Sequence, residues 1–131
     1  MKRGLAAVVA LLGVAACATA DGLQSKTWTW ERTIYNNDTV ETPNEAGAFT
    51  LNFTDEGRVQ VTTDCNNMQG GYTVTDNRIE FGQMAATRMY CEGSQEDLFA
   101  GMLENVTSYF IDDKGRLILE LKYDSGSMIF N

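Results

Sequence analysis

Histidine is absent from this 131-residue chain, and with it the imidazole base that Ser-His-Asp and Cys-His nucleophile arrangements require. Ordinary zinc sites lose a common ligand for the same reason. Basic residues are scarce, 10 against 18 acids, which gives a formal net charge of −8. Clustered Lys and Arg are what phosphate backbones and anionic membrane surfaces attract, so the charge argues against nucleic acid and against a basic membrane-docking patch. No apolar run reaches the roughly 20 residues of a membrane-spanning helix. The longest, from Leu5 to Ala16, has 12. Proline occurs once, at Pro43, and cysteine three times, at Cys17, Cys65 and Cys91.

What is present begins with an address. Met1-Lys2-Arg3, the apolar run, and the small residues Val14-Ala15-Ala16 directly before Cys17 together resemble a bacterial lipoprotein signal. The resemblance implies a signal peptide over residues 1–16, cleavage before Cys17, and a diacylglyceryl group on that thiol. An ordinary signal cut after Ala18-Thr19-Ala20, discarding Cys17, is the other reading. On the lipoprotein reading residues 17–25 are an acylated N-terminus and tether. Its eight residues Ala18 to Ser25 reach at most about 28 Å, so the domain works close to a membrane. Acyl chains contribute about 0.8 kcal/mol per buried methylene and make the lipid the membrane partner. Ala18, not Asp, follows the cysteine, and by resemblance to enterobacterial lipoproteins this favours the outer membrane, facing the periplasm.

Cleavage removes Lys2 and Arg3, leaving 8 basic residues against 18 acids and a net charge of about −10, read as a solvated acidic surface. It also leaves Cys65 and Cys91 as an even pair. In an oxidising compartment such a pair commonly forms a disulfide, and this one would close a 27-residue loop worth about 3.5 kcal/mol. Two buried free thiols are the alternative.

Residues 26–131 are dominated by period-two alternation, which predicts one mainly β domain with a single helix, of α+β class. Lys26 to Ile34 reads as the first strand, with Trp28, Trp30 and Ile34 on one face, and Tyr35 to Glu45 as a long polar loop. Phe49, Leu51 and Phe53 alternate, Asp55-Glu56-Gly57 turns, and Val59 and Val61 return, making a hairpin. Asp64 to Gly71 reads as a tight connection, Tyr72–Val74 and Ile79–Phe81 as a second hairpin, and Gly82 to Tyr90 as an ordered excursion. Ser94 as N-cap, Asp97 three residues on, and the stripe Leu98, Phe99, Met102, Leu103 and Val106 predict a helix over Gln95 to Asn105. Strands over 107–111, 116–122 and 127–130 complete the domain. The helix should cover the concave side of a strongly curved antiparallel sheet, a half-barrel wrapped around it.

The stretch Asp64-Cys-Asn-Asn-Met-Gln-Gly-Gly-Tyr72, followed by Ala85-Ala-Thr-Arg-Met-Tyr-Cys91, resembles the META domain of HslJ-like bacterial lipoproteins. Nearly all of the family pattern is kept in order and spacing; Glu92 and Gly93 stand where many members carry proline. The resemblance implies a bent antiparallel sheet around one helix, in an envelope protein linked to heat stress or antibiotic tolerance, with no established reaction. Asn66, Gly71, Tyr72, Thr87 and Arg88 are its motif residues, structural or binding. Asn66 can bond backbone amides after a strand end, and Gly70 and Gly71 permit backbone that a side chain would forbid.

Chemistry finds little purchase. Nothing selects a catalytic pair among the acids, and Asp112-Asp-Lys-Gly lacks a calcium loop's alternating ligands. Met68, Met84 and Met89 near the cysteines suit Cu(I) in principle, but methionine ordinarily fills gaps in small cores. No catalytic residue, metal or cofactor is assigned. The expectation is a monomeric, non-catalytic binding or structural module whose partner is an envelope protein or apolar ligand. The alternative is a small apolar-ligand carrier or protease-inhibitor-like module using the concave face, which needs an open apolar cavity beside the helix.

Overall fold

The computed structural model describes residues 22–87 and 89–131, so the readings of the signal segment, of Cys17 and of Arg88 lie outside the described residues. The strands are β1 (Trp28–Tyr35), β2 (Val40–Glu41), β3 (Thr50–Phe53), β4 (Arg58–Thr62), β5 (Asn67–Thr75), β6 (Arg78–Phe81), β7 (Ala85–Ala86), β8 (Val106–Ile111), β9 (Leu117–Leu121) and β10 (Gly126–Phe130). The helix α1 spans Glu96–Glu104, and short 3-10 turns occupy Leu23–Ser25 and Lys122–Asp124.

The expected half-barrel closes completely. Strand order runs β10-β9-β8-β6-β5-β4-β3-β1, and β10 pairs back on β1 with Trp30 opposite Phe130 and Thr33 opposite Met128. Eight antiparallel strands thus form a barrel with no free edge between first and last, which removes the edge problem of an open sheet. The short β2 and β7 attach as extra rungs on β1 and β5. Closure depends on Gly126: a Cβ there would stand 2.8 Å from the Ile34 carbonyl oxygen. The two backbones meet where only hydrogen fits.

Aromatic side chains fill the barrel. Trp28, Trp30, Phe49 and Phe130 are fully buried, and α1 adds Phe99, Met102 and Leu103. Phe99 lies 5.3 Å from Trp30, 4.9 Å from Phe49 and 6.2 Å from Phe130 between ring centroids. The helix therefore plugs the barrel with its own aromatic residue at the centre of the cluster. Leu98, expected in the buried stripe, is instead exposed, because the face turned inward is that of Phe99, Met102 and Leu103.

Ile34 is also exposed, contrary to strict alternation from Trp28 and Trp30. A bulge between Trp30 and Arg32 shifts the register against β10, so Thr33 turns inward in its place. The buried Trp30 indole needs an acceptor, and its Nε1–H donates to Thr33 Oγ1 at 3.0 Å. Two further differences are backbone events. Asn67 to Gly71, expected as part of a tight connection, belongs to β5, where it pairs with β4 along its whole length. Leu23 to Ser25, expected as tether, is built into the fold: Leu23 is fully buried and its carbonyl accepts the Trp28 indole N–H at 2.9 Å.

The barrel has two distinct ends. At one, the Leu23–Ser25 turn lies with the turns after β3, β5 and β8, and Gly22 packs directly against the Ile111 side chain. At the other lie the β4–β5 connection, the segment after β7, and the start of α1. No helix among the described residues is long and apolar enough to cross a membrane.

Candidate functional site

The second end is organised by four residues, Thr63-Asp64-Cys65-Asn66, that turn the chain from β4 into β5. Thr63 Oγ1 accepts the N–H groups of Cys65 and Asn66 at 3.1 and 2.8 Å, fixing the turn, and donates to Glu96 Oε1 at 2.6 Å. Asp64 accepts the Gln95 N–H at 2.8 Å and the Ser94 hydroxyl, so the helix start is capped from a distant segment as well as by Ser94, whose Oγ accepts the Glu96 N–H at 3.0 Å. The Gln95 side chain reaches the other way, donating to the Thr42 carbonyl at 2.9 Å and accepting the Asn44 N–H at 2.8 Å. The long loop after β2 is thereby stapled to the helix.

Asn66 is 7% exposed and uses its amide completely. Oδ1 accepts from Thr87 Oγ1 at 2.9 Å and from the Met89 N–H at 2.9 Å. Nδ2 donates to the Met89 carbonyl at 3.0 Å and to Glu96 Oε2 at 3.0 Å. One position away, Cys65 is joined to Cys91 in a disulfide, with Cα atoms 5.8 Å apart. Thr87 and the Met89 main chain are thus held by one buried amide, and Cys91 by a covalent bond. Met89 and Tyr90 are 62% and 87% exposed.

Of the motif residues, the structure brings Asn66 and Thr87 together beside the cysteine pair. Gly71 and Tyr72 lie farther down β5. Gly71 pairs with Arg58 and its carbonyl accepts the Gly82 N–H at 2.9 Å, and a Cβ at this position would meet only ordinary contacts. The glycine that the fold requires is Gly70, where a Cβ would come within 2.8 Å of both the Gln83 carbonyl oxygen and Met84 Sδ. Neither has the positive φ expected of a turn; the demand at Gly70 is for space. Tyr72 belongs to the opposite end of the barrel. Its hydroxyl donates to the Thr54 carbonyl at 3.2 Å and accepts from Gln24 Nε2 at 3.3 Å, pinning the first turn to the sheet. Thr63, Asp64, Glu96 and Tyr90 carry no site signal in the sequence beyond nearness to the two cysteines, and Met89 stands out there only as a thioether weighed for Cu(I).

Two adjoining hollows open beside this end, meeting at Met84. One, of about 590 Å³, runs past Ala85, Ala86, Met89, Tyr90 and Glu96; the other, of about 520 Å³, lies between Phe81, Met84 and the helix residues Ala100, Leu103 and Glu104. Among the described residues no group of three or more His, Cys, Asp and Glu side chains is arranged to hold a metal ion.

The fold has solved counterparts. A protein from Burkholderia xenovorans, determined by NMR, superposes with a TM-score of 0.69 at 20% identity, covering 95% of this chain and 97% of that one. A DUF4847 family protein from Bacteroides vulgatus, in a crystal structure, gives 0.66 at 14% identity, covering 85% and 94%. No curated protein matches the chain significantly. At the level of sequence, the META domain matches residues 21–130, and with the Asn66 and Cys65–Cys91 arrangement inside that span, the chain belongs to the META domain family.

Proposed function

We propose that this protein is a lipid-anchored, non-catalytic binding module of the bacterial envelope, held by Cys17 in the outer membrane on the periplasmic side and serving the envelope under heat or antibiotic stress. The observation that carries the binding role is the placement of Met89 and Tyr90. A buried amide fixes the Met89 main chain and a disulfide fixes Cys91, while the Met89 and Tyr90 side chains remain in solvent. Main chain fixed before its partner arrives loses little entropy on binding, and exposed aromatic side chains are the usual anchors of protein interfaces. The anchor itself rests on the lipoprotein-like signal.

The carrier reading is disfavoured by the filled interior. The space it requires beside the helix, within the barrel, holds Phe99, Met102 and Leu103 against Trp30, Phe49 and Phe130.

Crosslinking mass spectrometry on intact cells tests the proposal. The expected result is a mature chain beginning at acylated Cys17, with a photoreactive group at position 90 crosslinking reproducibly to one envelope component. An unmodified Cys17, or its absence from the mature chain, defeats the anchoring; no reproducible crosslink from position 90 defeats the binding role.

A further inference from the structure

The two hollows that meet at Met84 make one groove. One wall is a single face of α1, because Glu96, Ala100, Leu103 and Glu104 recur at helical spacing. The other is formed by Phe81, Met84, Ala85, Ala86, Met89 and Tyr90. Between Glu96 and Glu104 the helix rises about 12 Å, the length of about four extended residues.

Three features define what fits. The lining between the ends mixes the polar side chains of Asn66, Gln83 and Thr87 with apolar ones that include Met68, Met84 and Met89, and unbranched methionine side chains adapt to varied apolar shapes. The charged groups lining it among the described residues are the carboxylates of Glu96 and Glu104. Glu96 is bonded by the neutral donors Thr63 and Asn66, and neither glutamate is in an ion pair among the described residues. The third feature is main chain. Among the described residues the exposed strand β7 (Ala85–Ala86) pairs with β5 and with no second strand, so one edge of it is open to another backbone.

We propose that this groove binds an extended segment of another polypeptide in which apolar residues alternate with Lys or Arg. The segment adds to the free edge of β7, sets apolar side chains among Met84, Met89 and Tyr90, and meets Glu96 and Glu104 with its cationic ones. This deepens the binding-module reading and rests on it.

The test uses the full lipidated chain in zwitterionic phosphatidylcholine nanodiscs, titrated with a fluorescein-labelled Lys-Leu-Lys-Leu-Lys-Leu peptide, its Glu-Leu counterpart, and empty nanodiscs as the blank. Saturable binding of the lysine peptide in preference to the glutamate one is expected. Tyr90→Ala and Glu104→Lys should each weaken it by roughly tenfold, while Phe110→Ala, on the outer surface of β8, leaves it unchanged. All three positions are exposed, and an unchanged thermal unfolding midpoint verifies that each variant folds. Binding that ignores both Tyr90→Ala and Glu104→Lys, or that prefers the acidic peptide, overturns the groove. Loss of binding on Phe110→Ala alone overturns it too, while leaving a binding module in place. Failure to find lipid on Cys17 strikes only the anchoring and leaves this titration standing.

Discussion

Asn66 pairs with Met89 as one strand pairs with the next: its side-chain oxygen accepts the Met89 N–H at 2.9 Å and its side-chain nitrogen donates to the Met89 carbonyl at 3.0 Å. A side chain thus supplies a rung of backbone pairing that the chain, turning toward Cys91, could not make for itself.

Replacing Asn66 by Ala leaves the Met89 main chain, the Thr87 hydroxyl and one Glu96 oxygen short of a partner at a half-buried place. The expected loss is about 3 kcal/mol in denaturant unfolding, with the slope of the transition unchanged. Asn66→Asp keeps the shape but sets a second carboxylate where the amide nitrogen lies 3.0 Å from Glu96 Oε2. Its deficit should shrink on acidification, as a proton shared by the pair relieves the repulsion. A deficit independent of pH would count against this geometry.

Glycine substitutions should divide by space. Gly70→Ala and Gly126→Ala each force a Cβ to within 2.8 Å of backbone oxygen, and should cost about 1–3 kcal/mol. Gly101, within α1, has nothing within 4 Å of the added carbon. Gly101→Ala should therefore stabilise by about 0.5–1 kcal/mol through helix propensity. Thermal unfolding of the three variants side by side checks the opposite signs.

Thr33→Val keeps the shape that fills the bulge and removes the acceptor for the Trp30 indole. With both residues buried, the unpaired N–H should cost about 1–3 kcal/mol, while Thr33→Ser retains the bond and loses less. Equal losses for Val and Ser would show that the methyl group, and not the hydroxyl, is what Thr33 contributes.

Asp112 supplies a pH signature. The Arg116 N–H first, and with it the Arg116 guanidinium and the Lys114 N–H, hold its carboxyl below the ordinary value against the opposing effect of desolvation. A folded value below the unfolded one means that the ionised form favours folding. This contribution is present above the ordinary carboxylate range and is lost as pH falls through it toward the folded value. Asp112→Asn should therefore be less stable than the unaltered chain at pH 7, with the gap closing below about pH 4. Chemical denaturation at a series of pH values reads it directly.

Much of the architecture was legible because alternation reports burial directly: β3, β4, β6 and β9 lie where Phe49 to Phe53, Val59 to Val61, Ile79 to Phe81 and Leu117 to Leu121 placed them. What escaped depends on partners remote in sequence. Trp30 meets Phe130 across 100 residues, and no local pattern says that a curved sheet will close there. The Thr33 bulge is a register event between two strands, and Gly70 resembled a turn glycine until Met84 was seen above it. At the candidate site the cysteines and Asn66 stood out by type and spacing. Glu96 and Asp64 did not, since a carboxylate bonding a distant segment looks in sequence like any other surface acid.

The chain enters the barrel at Gly22, against Ile111, at the end away from Asn66 and the disulfide. With the Leu23–Ser25 turn part of the fold, a lipid on Cys17, if the proposed anchoring holds, would leave as leash only the residues before Gly22, about 17 Å at full stretch. Such a leash would keep the entry end down against the headgroups. The nine residues of β5 would then act as a spacer, lifting Met89 and Tyr90 roughly 25 Å clear of the bilayer, where a soluble chain could reach them and a membrane-embedded one could not.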